Sequence, residues 1–381
     1  MRRPGAATIL ALCAVLAAAG CTRDTPAPKP APKPGQLTEI FPAGLHPVGM
    51  DPPFSFRPNE PVALLAVPGS DDVDLATGSS RGPAAEIYRL SNPLREQGTV
   101  EFFPRGHGEG VKALRGRFEL SSVAREQDGT TWLIDNPKGW SSIVGPPRLL
   151  GISPDGRTAT ESTLTGTDFR RDRTRLTPLP DGRVGYLSRG QIQALPGDTG
   201  SVPALTHVER LAPTGDGGYL AATRPGPGTA IRLVRVDAAG TRTDTTLPVE
   251  APEDPLRGTD SAMPLFDGSV VALTSDGHGG AYLAIARGIV DDSLGVDTGY
   301  LGVDTGTDSM VVHTDADGRT TLLLRGELPA PSGCPYRRLP AGLTEMDGAV
   351  GRISDLMVRG DQLWIAEAGC RRVLALQLDT T

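Results

Sequence analysis

The residues most able to do chemistry are few and scattered. Of five histidines, His46, His107 and His207 fall in segments that lead into apolar strands. Imidazole suits proton transfer and metal ligation near neutral pH, so His107 and His207 are the candidate catalytic residues, the alternative being exposed loop positions. No fixed spacing ties them together as ligands. A second group is acidic: one insertion contains Asp291, Asp292, Asp297, Asp304 and Asp308 and holds a duplicated hexapeptide, Leu294–Gly299 and Leu301–Gly306. Carboxylates among glycine turns suit calcium, which takes several oxygen ligands, and Asp297, Asp304 and Asp308 are the candidates. Their spacing fits neither an EF-hand nor a nonapeptide repeat, which favours a solvated acidic loop. Gly78-Ser-Ser-Arg-Gly82 satisfies G-x-S-x-G, but Pro83 and a further apolar strand follow where a nucleophile elbow needs a helix. No H-E-x-x-H, P-loop or dinucleotide fingerprint is present. No cofactor is expected, calcium being the one weighed.

The N-terminus reads as an address. Arg2-Arg3 precede the apolar stretch Ala6–Ala19, too short to cross a bilayer as a stable helix. It ends in Leu16-Ala-Ala-Ala-Gly-Cys21, which resembles a lipobox with Ala18 in place of the usual Leu. That resemblance implies a signal peptide over 1–20, lipidation of Cys21 and a membrane-held, extracytoplasmic protein. Prolines alternate from Pro26 to Pro34, favouring an extended polyproline II spacer over 21–35. The folded domain is then expected over 36–381.

Composition excludes several classes. The net charge is −7, and without residues 1–20 the chain keeps 36 basic and 45 acidic side chains, or −9. No Lys/Arg-rich run offers a footprint for nucleic acid. Gly at 48 and Pro at 35, with only 4% aromatics, describe a turn-rich chain.

The elements that must position any site repeat. A turn followed by an apolar strand with an aromatic beside a Leu occurs at Asp128–Asp135, Asp181–Leu187, Asp216–Ala221, Gly279–Ala284 and Gly360–Ala366. A second polar turn recurs near residues 156, 199, 240 and 318, the first two gaps being close to 42. A period of about 40 with several short strands per unit is the signature of a propeller blade. No window supports a 3.6-residue apolar period beyond residue 21. The expectation is an all-β, six-bladed propeller of four-stranded antiparallel blades at 60–103, 114–165, 174–205, 208–248, 265–325 and 350–378. The last blade has three strands of its own, and Leu37–Phe41 is expected to supply the fourth and close the ring. A seventh blade would have to hide in 248–310.

The stretch Arg352–Leu376, with Leu363-Trp-Ile-Ala-Glu367 and Gly369-Cys-Arg-Arg-Val373, resembles an NHL repeat, with Glu367 where that family usually has Asp. In such a propeller the loop holding Cys334 and the turn holding Cys370 emerge on one face, so a disulfide is expected in an oxidising compartment, two separate thiols being the alternative. Anchor, spacer and propeller together imply a monomeric scaffold binding a protein or small-molecule ligand. The alternative is a metal-dependent enzyme resembling gluconolactonases or streptogramin lyases.

Overall fold

In the computed structural model, the residues described are 33–41, 46–47, 60–78, 86–91, 99–103, 118–137, 148–155, 159–164, 174–226, 229–248, 268–288, 307–325, 353–368 and 370–379. They contain strands and turns and no helix. The chain divides into two units, residues 1–33 and 34–381, and the strands belong to the second.

The unit is a six-bladed β-propeller. The chain enters through β1 (Leu37–Phe41) and a short β2 (His46–Pro47). Blade one holds β3 (Glu60–Ala66), β4 (Val73–Gly78), β5 (Glu86–Ser91) and β6 (Thr99–Phe103), with β2 added parallel to the outer edge. Blade two is β7 (Phe118–Arg125), β8 (Thr131–Pro137), β9 (Arg148–Ile152) and β10 (Ala159–Thr163). Blade three shows three strands among the described residues, β11 (Arg175–Pro178), β12 (Val184–Ser188) and β13 (Gln191–Ala194). The segment after β13 carries Pro196 and Pro203, and proline cannot donate to a sheet ladder. Blade four is β14 (Val208–Pro213), β15 (Tyr219–Thr223), β16 (Arg232–Val236) and β17 (Arg242–Thr246). Blade five is β18 (Ser269–Ser275), β19 (Ala281–Gly288), β20 (Thr307–Thr314) and β21 (Thr320–Arg325). Residues 269–288 and 307–325 therefore belong to blade five, and no seventh blade occurs among the described residues.

Blade six is β22 (Ile353–Arg359), β23 (Gln362–Glu367) and β24 (Arg372–Gln377), completed by β1. Leu37 pairs with Leu376 and Phe41 with Val373, antiparallel. The expected N-terminal closure is thus observed over Leu37–Phe41.

Each blade has apolar residues on both faces, and each packs on two neighbours. Six clusters of buried side chains result, one between each adjacent pair of blades. β1 serves two of them: Leu37 packs toward blade five, while Ile40 and Phe41 pack toward blade one. Phe41 is fully buried, its ring 5.7 Å from that of Tyr88. Beside it lie three buried charges. Arg372 donates from Nε to Glu367, and its NH1 stands 3.9 Å from Glu39 Oε2.

Aspartate recurs in the hairpin turns because its side chain replaces missing backbone partners. Asp128, Asp216, Asp237, Asp276 and Asp315 each accept the N–H two residues on, at 2.7–3.1 Å. The glycine after Asp216 has φ +86°, a left-handed value natural to glycine alone.

Candidate ligand-binding site

The six inner strands, β3, β7, β11, β14, β18 and β22, neighbour one another in a closed ring. Five of them carry one extra residue against the second strand of their blade: Val62, Ser121, Glu209, Val271 and Ser354. Such a bulge bends the strand and re-aims the side chain that follows. Those following residues are Ala63, Ser122, Arg210, Ala272 and Asp355. β11 opens at Arg175, which stands six residues before the Asp of its Asp-Gly turn, as Ser122 and Arg210 do. Arg175 therefore occupies the same step. All six residues line a central cavity of about 1240 Å³.

Most polar members of this step stitch one blade to the next. Ser122 Oγ accepts the Leu176 N–H at 2.9 Å. Asp355 Oδ2 accepts the Leu64 N–H at 2.8 Å, and Oδ1 accepts the Leu356 N–H at 2.9 Å. Arg210 Nε donates to the Val271 carbonyl at 2.6 Å, and its NH1 donates to the Glu209 carbonyl. Glu209 accepts the Val270 N–H at 2.8 Å and pairs with Arg224 at 2.6 Å. Arg175 differs: it makes no hydrogen bond to any described residue, and its partner is the charge of Asp355.

Enclosure sets the electrostatics. Burial pushes the Asp355 carboxyl up to about 6, against the opposing pull of its two N–H donors and of Arg210 and Arg175. Burial and then the neighbouring Arg175 charge lower the Arg210 proton affinity well below its ordinary value. Burial lowers that of Arg175 as well, while Asp355 raises it. Both guanidiniums remain cations, since arginine does not deprotonate in proteins. The step thus holds two fixed positive charges and one carboxylate that is half neutral near pH 6.

Of the candidate residues singled out from sequence, His207 lies away from this cavity. His207 is exposed in the segment before β14, with φ +58°, and its carbonyl accepts the Arg224 N–H at 2.9 Å. It is not among the residues lining the cavity. His107, Asp297, Asp304, Cys21 and Cys334 fall outside the described residues. Asp308 lies in β20, in register with Arg287, with its side chain outside the description. Cys370 sits half-buried in the turn between β23 and β24, and a bond to Cys334 lies outside what is described. Among the described residues, no three His, Cys, Asp or Glu side chains gather as a metal set.

No family model and no curated protein matches this chain. Solved structures do. Hydrazine synthase of Kuenenia stuttgartiensis aligns with a TM-score of 0.40 at 11% identity, covering 87% of this chain and 81% of that one. The calcium-binding protein regucalcin of Agrobacterium tumefaciens aligns at 0.38 and 13% identity, covering 84% and 91%. A protein from Lactobacillus plantarum aligns at 0.37 and 13% identity, covering 86% and 88%. No residue role is taken from these likenesses.

Arg175, Arg210 and Asp355 escaped the sequence reading, although a signal existed. The Asp-Gly turns that mark the blades also number them, and counting back six from Asp128, Asp181 and Asp216 reaches Ser122, Arg175 and Arg210. A charge at that step, amid apolar neighbours such as Leu176 and Leu211, is costly unless it is used.

Proposed function

We propose that this chain is an NHL-type propeller, held at the extracytoplasmic face of a membrane by lipid on Cys21, and that it binds a small ligand in its central cavity. The observation that carries the binding role is the central step itself: a cavity of about 1240 Å³ crossed by Arg175, Arg210 and Asp355. Ligand sites are concave and largely apolar, with a few fixed polar groups. Here Leu120, Leu211, Val271 and Met357 supply apolar wall around the three charges.

The NHL reading draws support from the last blade. Glu367 and Arg372, which belong to the motif, form a buried ion pair between adjacent strands. The longer Glu is still able to meet Arg372 where the family's Asp usually stands. The anchor rests on Leu16–Cys21 and the proline spacer behind it. A Cys334–Cys370 disulfide belongs to the same reading, as expected of an oxidising compartment. Binding is preferred over metal-dependent turnover because two guanidiniums at the central step oppose a divalent cation there.

Three measurements test this. Radiolabelled palmitate should enter the wild-type protein and not Cys21→Ser; equal labelling of both removes the anchor. Calcium should leave the melting temperature unchanged at micromolar levels, and a clear rise would favour the metal-dependent enzyme. Native mass spectrometry of the purified protein should show a bound small molecule whose occupancy falls in Met357→Trp, which sets a bulkier ring on the cavity wall.

A further inference from the structure

We propose that the ligand of this cavity is a small organic acid, whose carboxylate is received by Arg175 and Arg210 across blades three and four. The inference rests on the reading that the cavity binds a ligand, and it names that ligand's chemical class.

The two arginines are not equivalent, and the difference points to what they do. Arg210 is fixed, because its Nε and NH1 both donate to backbone carbonyls, Val271 O and Glu209 O. It contributes a positioned charge with NH2 left over. Arg175, on the adjacent strand, is half-buried, lines the cavity and donates to no described residue. A guanidinium has five N–H donors in a fixed fork, and those of Arg175 are not taken up by protein acceptors among the described residues. The open cavity is where a partner fits.

Asp355 does not meet that need. Its two oxygens accept the N–H groups of Leu64 and Leu356, so it reaches Arg175 as a charge and not as a hydrogen-bonded fork. Two like cations held on adjacent inner strands repel one another, and Arg175 lowers the proton affinity of Arg210. An entering oxyanion relieves both problems at once, because the planar guanidinium matches a carboxylate in bidentate geometry. The apolar wall formed by Leu120, Leu176, Leu211, Val271 and Met357 suits a carbon skeleton behind the acid group. The pocket's size excludes neither an aryl nor an alkyl body of a small molecule.

The test uses the full chain in detergent and calorimetric titration with phenylacetate, hexanoate and succinate, each beside its neutral amide. Inorganic phosphate serves as the competing oxyanion. At least one acid should bind about tenfold or more tightly than its amide, as a charge-assisted hydrogen bond requires. Arg175→Ala should abolish that preference, and Arg175→Lys should restore part of it. Phosphate that binds more tightly than every acid, with the same dependence on Arg175, would overturn the carboxylate assignment. Acids and amides that bind equally, or no saturable binding by any acid, would overturn the inference. If Met357→Trp then still lowers the occupancy of a co-purified neutral molecule, the cavity reading survives alone. If Met357→Trp changes nothing, both fall.

Discussion

The Asp355 carboxylate accepts the Leu64 N–H at 2.8 Å across a gap of 291 residues in sequence. Those two residues belong to the last blade and the first, so one side chain helps join the ends of the ring at its inner edge. The same carboxylate supplies the negative charge opposite Arg175 and Arg210. A side chain with both duties links the closure of the propeller to the electrostatics of its centre.

Asp355→Ala should therefore weaken the fold before any ligand is considered. It strands the Leu64 N–H in a protein interior, at a cost of about 1–3 kcal/mol. Asp355→Asn keeps an acceptor oxygen and should recover most of the loss. Urea unfolding of the three proteins reads the difference, and equal midpoints would show that the bond carries no stability.

The raised Asp355 pKa, about 6 when folded, fixes the sign of one pH effect. The unfolded carboxyl titrates near 3.9, so between pH of about 4 and 6 the folded chain binds the extra proton. Stability from this group is then greatest at the acid end of that window and falls as pH rises through 6. Other carboxylates pull the opposite way, which is why the comparison with Asp355→Asn matters. The wild-type minus variant difference should decline from pH 4 to 7 and then level off. Acid binding by the cavity should strengthen as pH falls from about 7 to about 6, where Asp355 loses charge while a ligand carboxylate, titrating near 4, stays ionised.

Arg372 gives a sharper loss. Arg372→Met leaves Glu367 and Glu39 buried without their cation, and breaking a buried pair typically costs about 3–5 kcal/mol. Adding Glu367→Gln to that variant should then cost little, or restore stability, because the nearer of the two uncompensated carboxylates is gone. A double-mutant cycle in thermal or urea unfolding measures this coupling. Strictly additive losses would mean that the pair acts independently.

Gly151 faces Trp132 across a strand pair, and a Cβ there would lie 2.7 Å from the indole ring. Gly151→Val should push the ring out of place at a cost of about 1–3 kcal/mol. A change in tryptophan fluorescence accompanied by a lower melting temperature is the expected readout, whereas an unaltered spectrum would place the ring elsewhere.

The architecture was legible because turns and closure are local or complementary signals. Asp-Gly dipeptides sit where the hairpins are, and Leu37–Phe41 is an apolar segment left over where blade six lacks a strand. Residues 248–310 raised a seventh-blade alternative because an insertion stretched the period there. The recurring aromatic marked the second strands without fixing their faces: it is the first residue of β15 (Tyr219), the second of β8 (Trp132) and β19 (Tyr282), and the third of β12 (Tyr186) and β23 (Trp364). Its side chain packs toward the following blade for Trp132, Tyr282 and Trp364, and toward the preceding one for Tyr186 and Tyr219. The short third blade was not foreseen either, although Pro196 and Pro203 mark where a fourth strand would fail. The central charges stayed hidden for a geometric reason. Arg175, Arg210 and Asp355 lie in three separate repeats, and only the closed ring brings them to one height. Histidines drew the eye because imidazole is versatile, but His207 faces solvent.

Gly35 N–H donates to the Gln377 carbonyl, and Gln377 N–H donates to that of Gln36, so the first described residues are laced to the end of β24. A mechanical load applied to the chain ahead of Pro34 arrives directly at this seam and not at the middle of a blade. The two segments that meet there are also the farthest apart in synthesis order, and contacts of such long range form slowly. The joint that finishes the ring thus spans nearly the whole described chain and is the first to feel a tug.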